Sequence, residues 1–225
     1  MTPSEVFQRF AADAATDPLL STQLAAWSDA RSAWRSNWTQ RGAASAMTVF
    51  QSAVPGSHPI AEHAPELNSW RAAWQKAPIA EQNELAELFV RAVALIERSA
   101  DSLDEACAMF GDSTGGGGLP LAIVSTAASA LHPSRFVILC DAWLSLFHED
   151  AQPAKTISAY PLLNADALRW LAAAESDVLP AALAASPRSD RMAVVCSWVA
   201  RNPAPAAERK FDVTQKKYKD WPPMW

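Results

Sequence analysis

The sequence predicts an all-α fold of about nine or ten helices, and three observations support this prediction. The first is composition: the 225 residues include 46 alanines but only seven glycines, and Ala is the best helix former whereas Gly is among the poorest. The second is the repeated placement of proline where helices begin. The third is the helical spacing of the apolar side chains, with β-branched residues too scattered for a series of strands.

Proline signals divide the N-terminal part of the chain into helices. Pro3 predicts the first position of one helix, and Pro18 predicts the start of a long helix that ends near Gln40. A shorter helix follows over residues 43–52. Large apolar side chains recur along the long helix at a spacing that predicts a buried face. They are Leu20, Leu24, Trp27, Trp34 and Trp38.

A loop and a strongly amphipathic helix are predicted next. Residues 55–65 read as a loop or broken turn, and the helix after it carries Trp70 and Trp74 one turn apart. Residues 81–98 then alternate apolar and charged side chains with a helical period. The predicted buried stripe of this helix is Leu85, Leu88, Phe89, Ala92, Val93 and Ile96.

The stretch 119–149 is expected to organise the fold. It holds an apolar helix over 119–131, a turn containing Pro133, and a second apolar segment over 137–147. Ahead of it, Ser102 and Glu105 form a capping-box pattern at the start of a helix over 103–110. The central apolar helix is therefore predicted to lie between amphipathic neighbours.

Three more helices are predicted in the C-terminal part. Asn164 is expected to cap a helix over 165–174, and Pro180 and Pro187 bracket a short alanine-rich helix. The last predicted helix spans 188–201. Its apolar positions predict an inward face, which consists of Met192, Val195, Cys196 and Val199.

The glycine run divides the chain into two predicted subdomains that pack together. The Gly-rich segment lacks the Lys-Ser/Thr of a phosphate-binding loop and follows no predicted strand, so a linker is the favoured interpretation. The predicted units are an N-terminal helical subdomain over 1–112, a linker over 113–118, a C-terminal helical subdomain over 119–203 and an arm over 204–225.

Charge and cysteine content limit the function classes. The net charge is −5, which argues against a general polyanion binder. Residues 201–225 nevertheless carry six basic and three acidic side chains, net +3, so the first 200 residues hold −8. The three cysteines have no CxxC spacing and lie among apolar residues, which predicts buried reduced thiols. The sequence shows no signal peptide or membrane span, so we expect a cytoplasmic protein.

Few side chains form a pattern that predicts chemistry. The four histidines lack metal-binding spacing, so neither a metal site nor a cofactor is predicted. Trp27, Trp34 and Trp38 share a helix face with Arg31, which permits a stacking platform for bases or peptides, although a buried stripe is the favoured interpretation.

The C-terminal arm is the predicted partner-binding element. Free tails are usually polar, whereas this arm combines lysines with large apolar side chains near its end. It is expected to dock on its own domain, on a second copy or on a protein partner. The residues predicted to make this contact are Lys216, Lys217, Lys219, Trp221, Met224 and Trp225.

Asp141 is the one acid that stands out. It follows the apolar run 136–140, and its simplest predicted role is the N-cap of the helix 142–147. Burial would alternatively shift its pKa and make it an acid/base group. On the capping interpretation, Asp141→Asn is expected to be mild, because Asn is itself a good cap.

Two segments resemble a known family. Residues 119–149, with their apolar helix, Pro-containing turn and Asp141, and the helix 188–201 are similar to parts of helix-hairpin-helix DNA glycosylases and their helical relatives in bacterial restriction and defence proteins. The resemblance implies DNA binding with Asp141 as the functional acid. The family's Leu-Pro-Gly-x-Gly hairpin is not present, and no lysine occupies the place of a bifunctional enzyme's nucleophile.

The sequence therefore supports two functions. The first is a non-catalytic helical interaction subunit of a bacterial multi-protein system, which binds a protein partner or forms a homo-oligomer. The alternative is a glycosylase-like helical domain that binds DNA and uses Asp141.

Overall fold

The computed structural model describes residues 3–14, 19–42, 44–54, 58–111, 118–147, 156–174 and 181–202. These residues form eleven α-helices and contain no strand, so the predicted all-α class is confirmed. The helices are α1 (Pro3–Ala14), α2 (Leu20–Thr39), α3 (Ala46–Ala53), α4 (Glu66–Trp74), α5 (Ile79–Arg98), α6 (Leu103–Ala108), α7 (Leu121–Leu131), α8 (Asp141–Phe147), α9 (Tyr160–Ala174), α10 (Ala181–Ala184) and α11 (Arg188–Arg201). Their number exceeds the predicted nine or ten by one or two.

Proline marks the start of several helices, and the sequence predicts this at Pro3 and Pro187. Pro3 is the first residue of α1, and Pro161 is the second residue of α9. Pro78, Pro120 and Pro187 directly precede α5, α7 and α11. Proline fits these positions because the first N–H groups of a helix have no intrahelical acceptor and its ring fixes a helical φ.

Helix α7 lies at the centre of the fold. All eleven of its residues are buried, and the two 20-residue helices α2 and α5 pack against it. The predicted apolar face of α2 is buried at every position. The predicted stripe of α5 is buried at Phe89, Ala92, Val93 and Ile96, whereas Leu85 and Leu88 are half-buried at its flank. The stretch predicted to organise the fold therefore supplies its central helix.

Residues 136–140 cross the core between α7 and α8 without helical structure, and all five are buried. Peptide groups in such a segment need partners from elsewhere, because buried N–H and C=O groups are costly when unpaired. The hydroxyl of Ser125 accepts a hydrogen bond from the Leu139 N–H and donates one to the Leu139 carbonyl, both at 3.0 Å. The hydroxyl of Tyr160 donates to the Val137 carbonyl at 2.9 Å.

Asn164 belongs to this arrangement, and its predicted role as a helix cap is wrong. Helix α9 already begins at Tyr160, so Asn164 lies in its second turn. The Asn164 side chain accepts a hydrogen bond from the Val137 N–H at 2.9 Å and donates one to the Arg135 carbonyl at 3.2 Å. The amide holds the 136–140 connection rather than the start of a helix.

The predicted capping box at Ser102 is also wrong. Ser102 ends a 3₁₀ turn (Ala100–Ser102), and its backbone (φ −84°, ψ 10°) differs from the extended backbone that N-cap residues need. Its side chain makes no capping hydrogen bond to α6. Ser99 caps the 3₁₀ turn that precedes α6, because its extended backbone lets the hydroxyl accept the Asp101 N–H at 3.2 Å.

Helices from both predicted subdomains share one cluster of buried side chains. Helix α7 packs against α2 and α5, while α9 and α11 pack against α1. Residues 112–117, which include most of the predicted linker, and the predicted arm 204–225 lie outside the described residues. The division into two subdomains stays a prediction.

Candidate functional site

Helix α8 places Asp141 at its first position rather than at the N-cap. The carbonyl of Cys140 accepts the first helical hydrogen bond, from the Leu144 N–H at 3.1 Å, so the helix begins one residue before the prediction. The N–H of Asp141 donates to a carboxylate oxygen of Glu66 at 3.1 Å, across 75 sequence positions. A side chain from α4 therefore binds an N–H that α8 cannot satisfy internally.

Asp141 is half-buried and shares this helix end with the Glu66 carboxylate. Negatively charged groups at the start of a helix interact favourably with its dipole. The same groups oppose the phosphates of DNA, whose binding depends mainly on basic side chains. The geometry around Asp141 thus favours a structural contribution.

Two histidines and two tryptophans form an aromatic cluster, defined here as Trp27, His58, His63 and Trp143. Trp27 contacts His58 and Trp143 with ring centroids 5.3 and 5.9 Å apart, and His63 contacts Trp143 at 5.5 Å. The two histidines flank a 3₁₀ turn (Pro59–Glu62) inside the segment predicted to be a loop. Trp27 and Trp143 are distant from the two histidines in sequence, and only the packing of α2, α8 and this turn brings the four residues together.

The histidines of the aromatic cluster favour the neutral form. Burial lowers the pKa of His58 to about 4, and its Nδ1 accepts the Ile60 N–H at 3.2 Å, which leaves the proton on Nε2. Burial also lowers the pKa of His63, with a smaller opposing effect of Glu62 and a further lowering by the Arg201 guanidinium. Within the described ranges, no three His, Cys, Asp or Glu side chains are arranged to hold a metal ion.

The three cysteines are buried and unbridged, as predicted. Burial raises the pKa values of Cys107 and Cys140 to about 12 and raises that of Cys196 as well. The thiol of Cys140 donates to the His63 carbonyl at 3.4 Å. Because the thiolate is the nucleophilic form, these side chains are poor candidates for catalysis at neutral pH.

The predicted stacking face on α2 lies inside the protein. Trp27, Trp34 and Trp38 are between 2% and 6% exposed, which agrees with the favoured buried-stripe interpretation. Arg31 reaches α11 instead of the rings: its Nη1 donates to Oδ1 of Asp190 at 2.9 Å and lies 2.9 Å from Oδ2 of the same carboxylate. The cation that lies over one of these rings is Arg41, 4.3 Å from the Trp38 centroid.

The α4–α5 patch, defined as Trp74 and Ile79 on the two sides of the turn between these helices, is a surface feature that sequence reasoning missed. Ile79 is 74% exposed and Trp74 is half-buried. Ile79 lies seven and fourteen residues before the fully buried Ala86 and Val93, and this spacing places all three on one helix face. The apolar stripe of α5 therefore extends beyond the core.

The turn before α5 is held in shape by side-chain bonds. The amide of Gln82 donates to the carbonyls of Trp74 and Ala77 at 3.0 and 2.9 Å. The Trp74 ring stacks on Trp70 with centroids 5.4 Å apart and meets Phe50 edge-on at 5.1 Å. The partly exposed Trp74 ring thus packs on two buried aromatic rings. The seven-residue spacing between Ile79 and Ala86 is the sequence signal that would have revealed this patch.

The predicted arm residues Lys216, Lys217, Lys219, Trp221, Met224 and Trp225 lie outside the described residues. No family model, curated protein or solved structure matches this chain. The similarity of 119–149 and 188–201 to glycosylase-like domains stays a prediction. None of the described helices is long and apolar enough to cross a membrane.

Proposed function

We propose that this protein is a non-catalytic helical interaction subunit that binds a protein partner, within a cytoplasmic multi-protein system of a bacterium. The observation that carries the proposal is the exposure of Ile79 on the α4–α5 patch. Its side chain continues an apolar stripe whose other members are buried. Interfaces are built around such apolar anchors with a polar rim, and α5 also presents the exposed Glu81, Glu84 and Glu87 to solvent.

The described polar side chains support the same proposal. Ser125 and Asn164 bind peptide groups of the 136–140 connection. His58 binds a backbone N–H, and Asp190 is paired with Arg31. Side chains of the kinds that carry catalysis are here engaged in holding the fold together.

A DNA-binding, glycosylase-like domain that uses Asp141 is the second proposal. The observation that favours it is the partial exposure of Asp141 at the start of α8. The neighbouring Glu66 carboxylate weighs against it, because it adds negative charge where the DNA backbone must approach. The two proposals differ in whether Asp141→Asn removes a function.

The test compares two single exposed apolar side chains. Tagged wild-type protein, Ile79→Glu and Leu162→Glu are each purified from the native host, and co-purifying proteins are quantified by mass spectrometry. Leu162 is the matched control because it is 71% exposed on α9. We expect one protein to be recovered in constant ratio with wild type and Leu162→Glu, and to be lost with Ile79→Glu.

Two outcomes contradict the interaction proposal. Equal recovery with Ile79→Glu removes the α4–α5 patch from the interface. Absence of a stoichiometric protein, together with DNA cleavage or base release that Asp141→Asn abolishes at an unchanged melting temperature, supports the glycosylase-like alternative instead.

A further inference from the structure

We propose that residues 58–63, called here the 58–63 turn, form a pH-sensitive closure over the aromatic cluster. The turn stays packed on α2 and α8 while His58 is neutral, and it opens, with the helices intact, once the ring of His58 takes up a second proton. This inference goes beyond the proposed function, because it concerns a motion of the chain alone and needs no partner. Three features support it: the hydrogen bond at the start of the turn, the rings on which the turn packs and its few bonds to the rest of the fold.

The first feature is that His58 caps its own turn with a ring nitrogen. Its backbone is extended (φ −70°, ψ 139°), and its Nδ1 accepts the Ile60 N–H at 3.2 Å. A neutral imidazole has one nitrogen that accepts and one that donates, whereas both donate in the protonated ring. Protonation of His58 therefore places a second N–H against the Ile60 N–H. The proton that charges the ring also removes the cap.

The second feature is the apolar packing of the turn. The His58 side chain is buried, with its ring 5.3 Å from that of Trp27, and Ile60 is 0% exposed. At the other end of the turn, the His63 ring packs on Trp143 at 5.5 Å. Burial of a charged group is costly unless it is paired, whereas water can solvate the ring when the turn is open. Burial accordingly lowers the pKa of His58 to about 4. The apolar contacts thus favour the closed turn only while the ring is neutral.

Charged groups around the turn leave this preference in place. Glu62, within the turn, raises the pKa of His63, but burial lowers that pKa by more and the Arg201 guanidinium of α11 lowers it further. For His58, burial accounts for the lowered pKa. The neighbouring elements bring further charged side chains: Glu66 of α4 and Asp141 at the start of α8, and, one turn after Trp27 on α2, Arg31 in its pair with Asp190.

The third feature is that few hydrogen bonds join the turn to the rest of the fold. The Ala61 N–H donates to the His58 carbonyl and the His63 N–H to the Ile60 carbonyl, both at 2.9 Å and both within the turn. Among the described residues, the hydrogen bond that leaves the turn runs from the Cys140 thiol to the His63 carbonyl at 3.4 Å, and a thiol is a weak donor. Opening of the turn therefore breaks no bond inside an α-helix, so it can precede global unfolding.

The experiment uses two cysteines of the full chain as reporters. Cys140 is 0% exposed and contacts the turn, whereas Cys107 is equally buried on α6, which packs against α5 and α9. A dipyridyl disulfide reacts with exposed thiols at acidic as well as neutral pH and releases one thiopyridone for each thiol modified. The rate at each cysteine is measured from pH 7 to 4 by mass spectrometry of peptic peptides. It is divided by the rate in the urea-unfolded chain at the same pH.

We expect the relative rate at Cys140 to rise on the order of 100-fold between pH 7 and pH 4, because the proton binds His58 with a pKa of about 4 in the closed turn and near the ordinary 6.5 in the open one. Closed turns are therefore favoured above pH 6.5 and are lost as the pH falls toward 4. Cys107 should stay protected over the whole range.

Two variants of the same turn assign the effect to one histidine. His58→Asn keeps an acceptor for the Ile60 N–H, because Asn is a good cap, but it does not titrate. It should reduce the rise at Cys140 to less than about tenfold. His63→Asn is the matched control, and it should keep a rise of more than about thirtyfold.

Hydrogen exchange gives a second readout on wild type. After correction for the intrinsic exchange rate at each pH, protection of the Ile60 and Ala61 amides should fall by about tenfold or more between pH 7 and pH 4. The buried amides of residues 125–131 in α7 are the reference and should stay protected.

Three results overturn the proposal. Parallel reaction of Cys140 and Cys107 in acid shows that the whole chain unfolds rather than the turn alone. A relative rate at Cys140 that is the same at pH 7 and pH 4 shows that the turn does not open. A rise that survives in His58→Asn shows that another group controls the turn.

Discussion

The 136–140 connection and the aromatic cluster lie next to each other in the core, yet they differ in whether their buried polar groups have hydrogen-bond partners. In the connection, the peptide groups of Val137 and Leu139 are bound by side chains from α7 and α9 at 2.9 to 3.0 Å. In the cluster, the indole N–H of Trp143 is buried without a hydrogen-bond acceptor among the described residues. Burial also displaces the pKa of His58 far from its ordinary value.

The difference follows from backbone structure. A non-helical segment in the core has no neighbouring turn to satisfy its peptide groups, so each needs a partner at a defined place. Most residues of the aromatic cluster sit on or beside helical turns that bind their own backbone, and only side-chain atoms remain. One unpaired N–H costs about 1–3 kcal/mol, and the large area of a buried Trp ring offsets that cost.

The largest expected effect is that of Asn164→Ala. The substitution removes the acceptor of the Val137 N–H and the donor to the Arg135 carbonyl. With two peptide groups losing a partner, we expect the free energy of unfolding to fall by about 3–4 kcal/mol, measured by chemical denaturation. Asn83→Ala, at an exposed position of α5, is the control and should change it by about 0.5 kcal/mol or less. A cost below about 1 kcal/mol for Asn164→Ala would remove the contrast between the regions.

Acid titration should expose the cost of burial in the aromatic cluster. His58 has a pKa of about 4 in the folded protein, below its ordinary 6.5, so the unfolded chain binds the proton more tightly. The contribution of neutral His58 to the free energy of unfolding is therefore fully present above pH 6.5. It is lost as the pH falls toward 4, by an amount on the order of 3 kcal/mol.

His58→Asn is the matched variant for this titration, because an amide oxygen can accept the Ile60 N–H without titrating. Denaturation curves between pH 7 and 4 should show a clearly shallower loss of stability for this variant. An identical pH dependence in both proteins would mean that His58 titrates normally in the folded state.

Ser125→Ala tests whether a single hydroxyl holds the connection. Its loss leaves the buried N–H and carbonyl of Leu139 without their side-chain partner, and we expect a cost of about 1–2 kcal/mol. Ser129→Ala is the matched control on the same buried helix, because that hydroxyl only donates to the Thr126 carbonyl one turn away. It should cost about 0.5 kcal/mol or less. Equal losses of stability in the two variants would show that the hydrogen bonds between Ser125 and Leu139 contribute no more than the local bond from Ser129 to Thr126.

The smallest expected effect comes from two stacked rings of α2. Trp34 and Trp38 lie 5.7 Å apart, but only the Trp34 indole N–H has a protein acceptor among the described residues, the Ala53 carbonyl at 3.0 Å. Changing each to Phe removes the same atoms. Thermal unfolding should show Trp34→Phe to be less stable than Trp38→Phe by about 1 kcal/mol. A reversed order would mean that ring packing, rather than the hydrogen bond, decides the cost.

Local signals predicted most of the fold. Helix starts at prolines such as Pro3 and Pro187 were found because proline acts through its own ring and the adjacent peptide group. The buried faces of α2, α5 and α11 were found because a period of 3.6 requires no knowledge of the partner helix. The burial of Cys107, Cys140 and Cys196 followed from their apolar neighbours in sequence.

The errors and omissions involve residues whose role depends on distant partners. Asn is a residue type that commonly caps helices. Only the position of Val137 in the fold shows that Asn164 binds another segment. The Glu66 carboxylate at α8 and the Asp190–Arg31 pair connect residues 75 and 159 positions apart. Ile79 is a different case. Its spacing from Ala86 and Val93 places it on the apolar face of α5, but the exposure of its side chain depends on where the neighbouring helices end.

The packing of α1 has a consequence for how the chain is made. Its Phe10 ring lies 5.7 Å from that of Trp198, and Asp13 accepts the Trp198 indole N–H across 185 positions. At about 5–20 residues per second, a ribosome needs roughly 10–40 s to deliver Trp198 after Asp13. During that interval the apolar face of α1 is open to chaperones or to other nascent chains, so the rate of synthesis, as well as the final stability, governs how much protein reaches the folded state.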